Sequence, residues 1–347
     1  MSAKTAAKKK KDVPFILGLS FLEIAAPNGN LDKQLSGLGL SRTGVHHDKN
    51  IHLYVQNDMK ILANYDTETY ANLFKEFHGS PICGMGIKVK NPEKAVEQAL
   101  MRGATRAKGP LVSSNGKEVP CVYGVAGSLV YFVDVKTGPE SWGMDLFKNV
   151  KGTGEGIIQG LDHVMSTVPS GMLESWTSYY EKIFDFTREE NNHYEIGKNK
   201  FNTSVLLSPC ETFHIVLKEE EIREDMLKEY LATFKGTGIQ HIGFKVHNLV
   251  DAVHYLQRQN INMVKANEKF YSENYKDLDE SLPPISELKE CGAIIHSEAQ
   301  GTALHAFTEK IFDGVYLELI QYIKGRPIHN EKGLFLLAAG TSDNGEQ

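Results

Sequence analysis

The sequence predicts an α+β protein of two related halves, each a pair of βαβββ modules whose strands curve into an open barrel around a cavity. Internal repetition is the first observation behind this. Gly86-Ile87-Lys88-Val89-Lys90-Asn91, followed by Ala95-Val96, is matched by Gly243-Phe244-Lys245-Val246-His247-Asn248, followed by Ala252-Val253. Gly18-Leu19-Ser20-Phe21 with Pro27 is matched by Gly160-Leu161-Asp162-His163 with Pro169, and Val130-Tyr131-Phe132-Val133 by Val315-Tyr316-Leu317-Glu318. The second observation is a polar difference between the copies. In this alignment His163, His241 and Glu318 take the places of Phe21, Gly84 and Val133, so only the second half is predicted to bind a metal through this set.

The elements follow in order. Residues 1–14 form a basic tail whose run Lys8 to Lys11 is expected to be solvated and disordered. The first domain, 15–150, opens with a strand predicted from Gly18 to Ala26 and a second from Cys83 to Val89. Pro92 then starts a helix whose apolar face is Ala95, Val96, Ala99 and Leu100, closed by Gly103. A first-turn proline fits because it lacks a donor that the helix would not use. A closing strand is predicted from Gly127 to Val135, and the polar, glycine-rich run Lys151 to Gly156 reads as the linker.

The second domain, 157–330, repeats this order with additions. A strand is predicted from Leu161 to Val168, and Leu173, Trp176, Tyr180, Ile183 and Phe184 then fall at helical spacing. Phe201 to Leu207 and Phe213 to Leu217 read as paired strands turning at Ser208-Pro209. Gly238 to Val246 is a strand carrying His241, and Leu249, Ala252, Val253 and Leu256 form the next helix face. An insertion from about Phe270 to Leu288 has no counterpart in the first half and is expected to cover or shape a site. Strands near Ala293 to His296, Ala303 to Thr308 and Gly314 to Tyr322 complete the domain, and residues 331–347 form a short gate or tail.

Composition narrows the functional classes. The chain has 347 residues and a formal charge of −6, with no basic stripe interleaved with aromatics, which argues against a nucleic-acid partner. Cys83, Cys121, Cys210 and Cys291 are scattered without a Cys-x-x-Cys pair, so reduced thiols are expected rather than a zinc ribbon or disulfide framework. No apolar run approaches the roughly 20 residues of a membrane-spanning helix, and no signal-peptide core follows the lysine run. Cytoplasmic location and small-molecule partners are the expectation.

Two histidines and one carboxylate projecting from three strands form a facial triad that leaves positions on an octahedral ion open, a set suited to non-haem Fe(II). A lone strand histidine is ordinarily a core or surface residue. Here all three fall at matched positions of a repeat, and a buried Glu318 between Leu317 and Leu319 would be costly unless paired or metal-bound.

These motifs resemble the 4-hydroxyphenylpyruvate dioxygenase family of the vicinal-oxygen-chelate superfamily. Leu161-Asp162-His163-Val164, Gly238-Ile239-Gln240-His241-Ile242 and Glu318-Leu319-Ile320-Gln321 are similar to its three ligand motifs. Glu290-Cys291-Gly292-Ala293-Ile294, Gln300-Gly301-Thr302-Ala303-Leu304 and Phe307-Thr308 follow its run into the cavity strand. The resemblance covers nearly the whole second domain and, more weakly, the first. It implies Fe(2+) held by His163, His241 and Glu318, and a 2-oxo acid that chelates the iron through carboxylate and keto oxygens. Dioxygen is the co-substrate, carbon dioxide is lost and the remainder of the same molecule is oxidised, with no dedicated catalytic base.

The resemblance also assigns substrate-binding positions. Gln240 and Phe307 are retained, and Thr203 stands for a serine. Lys218 falls where the family has an asparagine, Met226 and His305 where it has glutamines, and Tyr316 where it has a phenylalanine. Replacing three amides in a site built to bind a phenol implies a changed substrate, because unmatched buried polar groups are expensive. Lys218 reads either as a partner for an anionic group or as a solvated lysine beside the glutamate run 219–221, and His305 as a fourth metal neighbour, a proton shuttle or a polar wall, with the wall favoured. The family's gating helix is shortened here to Gly333-Leu334-Phe335-Leu336-Leu337-Ala338-Ala339-Gly340, with Phe335 as a partial lid.

The expected reaction is a 4-hydroxyphenylpyruvate dioxygenase-like step of tyrosine catabolism, giving a homogentisate- or hydroxymandelate-type product. The alternatives are an extradiol catechol dioxygenase, which shares the scaffold and triad, and a non-catalytic small-molecule-binding protein of the same fold. A homo-oligomer is expected.

Overall fold

A computed structural model of the chain describes residues 15–26, 31–79, 81–114, 116–134, 146–149, 156–196, 199–220, 237–275 and 279–327. The predicted basic tail, the linker apart from Gly156, and the gate lie outside these residues, as do Met226 and Phe335.

The first half contains β1 (Gly18–Ala25), α1 (Leu31–Gly37), β2 (Ser41–His46), β3 (Ile51–Gln56) and β4 (Met59–Asn64), then α2 (Tyr70–His78) and β5 (Ile82–Val89). α3 (Pro92–Met101), β6 (Arg106–Ala107), β7 (Cys121–Tyr123), β8 (Leu129–Asp134) and β9 (Phe147–Asn149) follow. The second half contains β10 (Ile158–Val168), α4 (Leu173–Phe184), β11 (Thr187–Ile196), β12 (Asn199–Leu207) and β13 (His214–Glu220). Its next module is β14 (Gly238–Val246), α5 (Leu249–Arg258), α6 (Glu268–Asn274), α7 (Ile285–Cys291), β15 (Ile294–Glu298), β16 (Gly301–Phe307) and β17 (Tyr316–Gly325). The insertion thus begins in α6 and ends in α7. The strands β2 to β4, β6, β7, β9 and β11 escape the sequence reading, because strict alternation is weak in them: β4 is buried at every position, and β6, β7 and β9 have only two or three residues.

Each half is built the same way. The first strands of its two modules pair antiparallel, β1 with β5 and β10 with β14. Each of these strands also pairs parallel with the last of its module's four main strands: β1 with β4, β5 with β8, β10 with β13 and β14 with β17. The parallel neighbour needs a crossover, which the helix and two intervening strands supply. Ile239 opposite Ile82 joins the halves in one 17-stranded sheet. The repeated asparagine has a local cause: Asn91 accepts from the Lys94 amide and Asn248 from the Asp251 amide, capping α3 and α5 in the same manner. Behind the caps, Ala95, Val96 and Ala99, and Leu249, Ala252, Val253 and Leu256, are buried in a core shared by both halves.

One part of the sequence alignment is corrected. Glu318 lies opposite Gly243, which itself faces His163, whereas Gly86 faces Phe21 and lies opposite Tyr131. The counterpart of Glu318 is Tyr131, two residues before Val133. A two-residue slip keeps every side chain on its face of the sheet, so alternation alone does not reveal it.

The two barrel interiors differ accordingly. In the first, Phe21 and Tyr131 have ring centroids 5.5 Å apart and join Leu53, Leu62, Leu129 and Phe147 in an apolar cluster. A fully buried Glu23 borders it, accepting from Tyr131 Oη at 2.8 Å and Asn64 Nδ2 at 2.8 Å, and burial pushes its carboxyl above the usual carboxylate range. In the second half the corresponding space is lined by polar groups. Among the described residues, no helix is long and apolar enough to cross a membrane.

Candidate metal centre

His163 on β10, His241 on β14 and Glu318 on β17 are brought together by the register of three adjacent strands. All three are buried, and one ligand atom from each lies within 4.8 Å of the others. His163 Nε2 and His241 Nε2 approach the same oxygen, Glu318 Oε2, at 3.3 and 2.8 Å. These three atoms crowd one point without a well-aligned hydrogen bond, and no other partner reaches them among the described residues. Burying such atoms unpaired is costly, and a divalent cation between them removes that cost.

Room for the first imidazole comes from a glycine. A Cβ on Gly243 would stand 2.4 Å from the His163 ring. The ring is held from behind by its own neighbour. Adjacent residues of a strand normally point to opposite faces, but a register shift between Leu161 and His163 re-aims this pair, and His163 Nδ1 donates to Asp162 Oδ2 at 3.1 Å. Asp162 Oδ1 in turn accepts from Tyr322 Oη at 2.7 Å and Arg326 Nη2 at 3.1 Å. Arg326 also donates to His214 Nδ1 at 2.9 Å, and His214 Nε2 donates to Glu189 at 2.9 Å.

The electrostatics favour positive charge at this point. Burial would lower the His163 pKa, but Asp162 and Glu318 outweigh it and push the imidazole up to about 10. Burial would raise Glu318, but the surrounding His163, His241 and His305 hold it well below the usual carboxylate range. Burial pushes His241 down, toward the neutral form that ligates metals.

The remaining predicted positions fall as follows. Phe307 is buried opposite Glu318, its ring 5.7 Å from that of His241. Tyr316 lies opposite His241 and is half-buried, with Lys310 Nζ 5.4 Å from its ring centroid. Gln240 accepts at Oε1 from Thr167 Oγ1 at 3.0 Å. Thr203 is fully buried, opposite Lys218, and its Oγ1 has no partner among the described residues. Lys218 is not a solvated lysine: its side chain is 15% exposed, donates to Glu220 at 2.7 Å and sits 5.0 Å over the Phe201 ring. His305 is more than a polar wall, because its Nδ1 hydrogen-bonds Glu318 Oε1.

Asp162, His214, Glu189, Tyr322 and Arg326 escape the sequence reading as a network. The available signal is Asp162 itself, a charge between Leu161 and His163 in an apolar strand. Of the insertion, Phe270 packs against the buried pair Ile294 and Phe307, the latter opposite Glu318.

Comparison with known proteins agrees with this architecture. Residues 13–146 match the family model "Hydroxyphenylpyruvate dioxygenase, HPPD, N-terminal", and residues 160–281 match "Glyoxalase/Bleomycin resistance protein/Dioxygenase superfamily". A 4-hydroxyphenylpyruvate dioxygenase from Legionella pneumophila (strain Corby) is 29% identical over 313 residues, 88% of each chain. The chain thus carries a hydroxyphenylpyruvate dioxygenase N-terminal domain followed by a glyoxalase/dioxygenase-superfamily domain. The predicted α+β vicinal-oxygen-chelate fold is the observed one. Some other similar proteins are larger than this chain. A 3-dehydroshikimate dehydratase from Pseudomonas aeruginosa is 28% identical over 309 residues, 88% of this chain and 49% of that one. A solved xylose isomerase-like TIM barrel/4-hydroxyphenylpyruvate dioxygenase fusion protein superposes with a TM-score of 0.79 at 26% identity, covering 94% of this chain and 52% of the fusion. The chain thus spans about half the length of these two proteins.

Proposed function

We propose that the protein is a non-haem Fe(II) dioxygenase that oxidatively decarboxylates a 2-oxo acid in the manner of 4-hydroxyphenylpyruvate conversion. The observation that carries this reading is the convergence of His163 Nε2, His241 Nε2 and Glu318 Oε2 on one buried point. In it the second half, 157–330, is catalytic, and the first half, 15–150, is a metal-free scaffold.

Bound by these three residues, Fe(II) would supply a redox-active Lewis acid at which a 2-oxo acid and dioxygen meet. The overall balance needs no external reductant. Loss of carbon dioxide and oxidation of the remaining molecule together provide four electrons, and the two atoms of dioxygen end in the new carboxylate and in the hydroxylated carbon. The chain's own residues hold and shield the reactants. Phe307, backed by Ile294 and Phe270, keeps water from one side of the site. Thr203, with a buried hydroxyl lacking a partner among the described residues, and Gln240, fixed by Thr167, present polar groups to the substrate. Lys218, tied to Glu220, adds positive potential beside His241. The combination of Lys218 and His305 favours a substrate other than a simple phenol, so an aryl 2-oxo acid with a different polar end is the leading class.

The test is anaerobic reconstitution with Fe(II), then dioxygen with a panel of arylpyruvates and branched 2-oxo acids. One carbon dioxide released per dioxygen consumed, with at least one acid, is the expected result. No substrate-linked uptake across the panel would overturn the reading, and a yellow ring-opened product from a catechol would assign the extradiol reaction instead.

A further inference from the structure

His305 stands on β16 beside the carboxylate ligand of the triad, yet it belongs to neither the triad nor the apolar wall. It is fully buried. Its Nδ1 meets Glu318 Oε1, whereas His163 Nε2 and His241 Nε2 both approach Glu318 Oε2. The carboxylate is therefore addressed from two sides, one oxygen by the pair of imidazoles and the other by a third imidazole. A free carboxylate can bind a cation through one oxygen or both. An oxygen already engaged by an N–H donor is a poor second ligand, so a donor at Oε1 keeps Glu318 monodentate through Oε2.

We propose that His305 is a positioning residue that clamps Glu318 in this single-oxygen mode and so preserves the open coordination positions that the substrate and dioxygen need. The proposal rests on the metal-centre reading above and deepens it. The clamp explains why a histidine is compatible with this position. With its proton on Nδ1 it donates to the ligand carboxylate, and the bond lies on the far side of that carboxylate from the other imidazoles. A third histidine ligand would have to point at Oε2 instead. His305 Nε2, the atom such a ligand would most simply offer, is buried without a partner among the described residues and is not part of the converging group.

The test uses full-length protein stripped of metal by chelation and titrated with Co(II), followed by visible absorption. His305→Phe keeps a ring of similar shape but removes the donor. His305→Asn places an amide N–H where Nδ1 stood. Wild type should bind Co(II) in a saturable manner. The Phe variant should bind roughly 10–100-fold more weakly, the usual loss when a hydrogen-bond partner of a ligand is removed. Its Co(II) bands should also change in intensity and position as the carboxylate becomes bidentate. The Asn variant should recover wild-type bands and affinity. Circular dichroism establishes that each variant is folded, and His305→Leu replaces the Phe variant if the latter is not. A donor-free variant with unchanged affinity and bands would overturn the clamp while leaving the metal centre intact. Wild-type protein that takes up no Co(II) would overturn the metal centre itself. Independently of any variant, pulsed electron paramagnetic resonance of the Cu(II)-loaded wild type should show two coupled imidazoles. Three would make His305 a ligand and sink the proposal.

Discussion

Tyr131 occupies in the N-terminal barrel the register position that Glu318 occupies in the C-terminal one. Each lies across from a glycine that makes room for a ring, Gly86 for Phe21 and Gly243 for His163. A Cβ would stand 2.1 Å from the Phe21 ring at Gly86 and 2.4 Å from the His163 ring at Gly243. Gly86→Ala and Gly243→Ala should each destabilise the protein by about 1–3 kcal/mol, the usual cost of overpacking. Their functional effects should diverge: only Gly243→Ala displaces His163 of the proposed metal centre, so only it should lower metal content after reconstitution. Denaturant melts with metal analysis check both parts.

Removing a ligand should be worse than removing its support. Asp162→Asn leaves the shape of β10 intact but weakens the hold on His163 Nδ1, and should cost roughly 10–100-fold in metal affinity. Glu318→Gln and His241→Ala should exceed that loss. Competition with a chromophoric chelator measures all three, and an Asp162→Asn variant that binds as wild type does would show that the carboxylate has no part in holding the ring.

Glu23 makes stability depend on pH in a defined sense. Burial raises its folded-state pKa above the ordinary 4.5. The folded state therefore holds the proton more tightly than the unfolded chain. The resulting contribution to stability is fully present below about pH 4.5, the unfolded value, and is lost as pH rises through the folded pKa. Glu23→Gln, a neutral mimic of the protonated acid, should melt with wild type at low pH and above it at neutral and higher pH. A constant difference across the range would remove the buried acid as its cause.

Phe270 tests the cover over the site. It packs from α6 against Ile294 and Phe307, and Phe307 lies beside His241 and Glu318. Phe270→Ala should admit water and uncouple decarboxylation from oxidation of the remaining molecule, so carbon dioxide released should exceed oxidised product formed, with a smaller effect on metal content. Carbon dioxide and product measurements on the same sample give the ratio.

The duplication, the order of the repeated strands and helices and the identity of the three converging side chains were legible in the sequence, because each leaves a local mark. The shared Asn91 and Asn248 cap helices through neighbours in sequence, and the apolar faces of α3 and α5 follow helical spacing. What was hidden depends on contacts between distant segments. The two-residue slip that makes Tyr131 the counterpart of Glu318 is silent in a pattern of period two. The register shift that turns Asp162 toward His163, the hold of Arg326 on Asp162 and the engagement of Glu318 Oε1 by His305 arise only when β10, β16 and β17 are assembled. Lys218 makes the same point: the sequence allowed a solvated lysine or an anion partner, and packing over Phe201 with Glu220 beside it chose a half-buried ion pair. Periodicity and repeats report which face of a strand a residue takes, whereas the partner it meets there is set by register and bulges, which belong to the folded sheet.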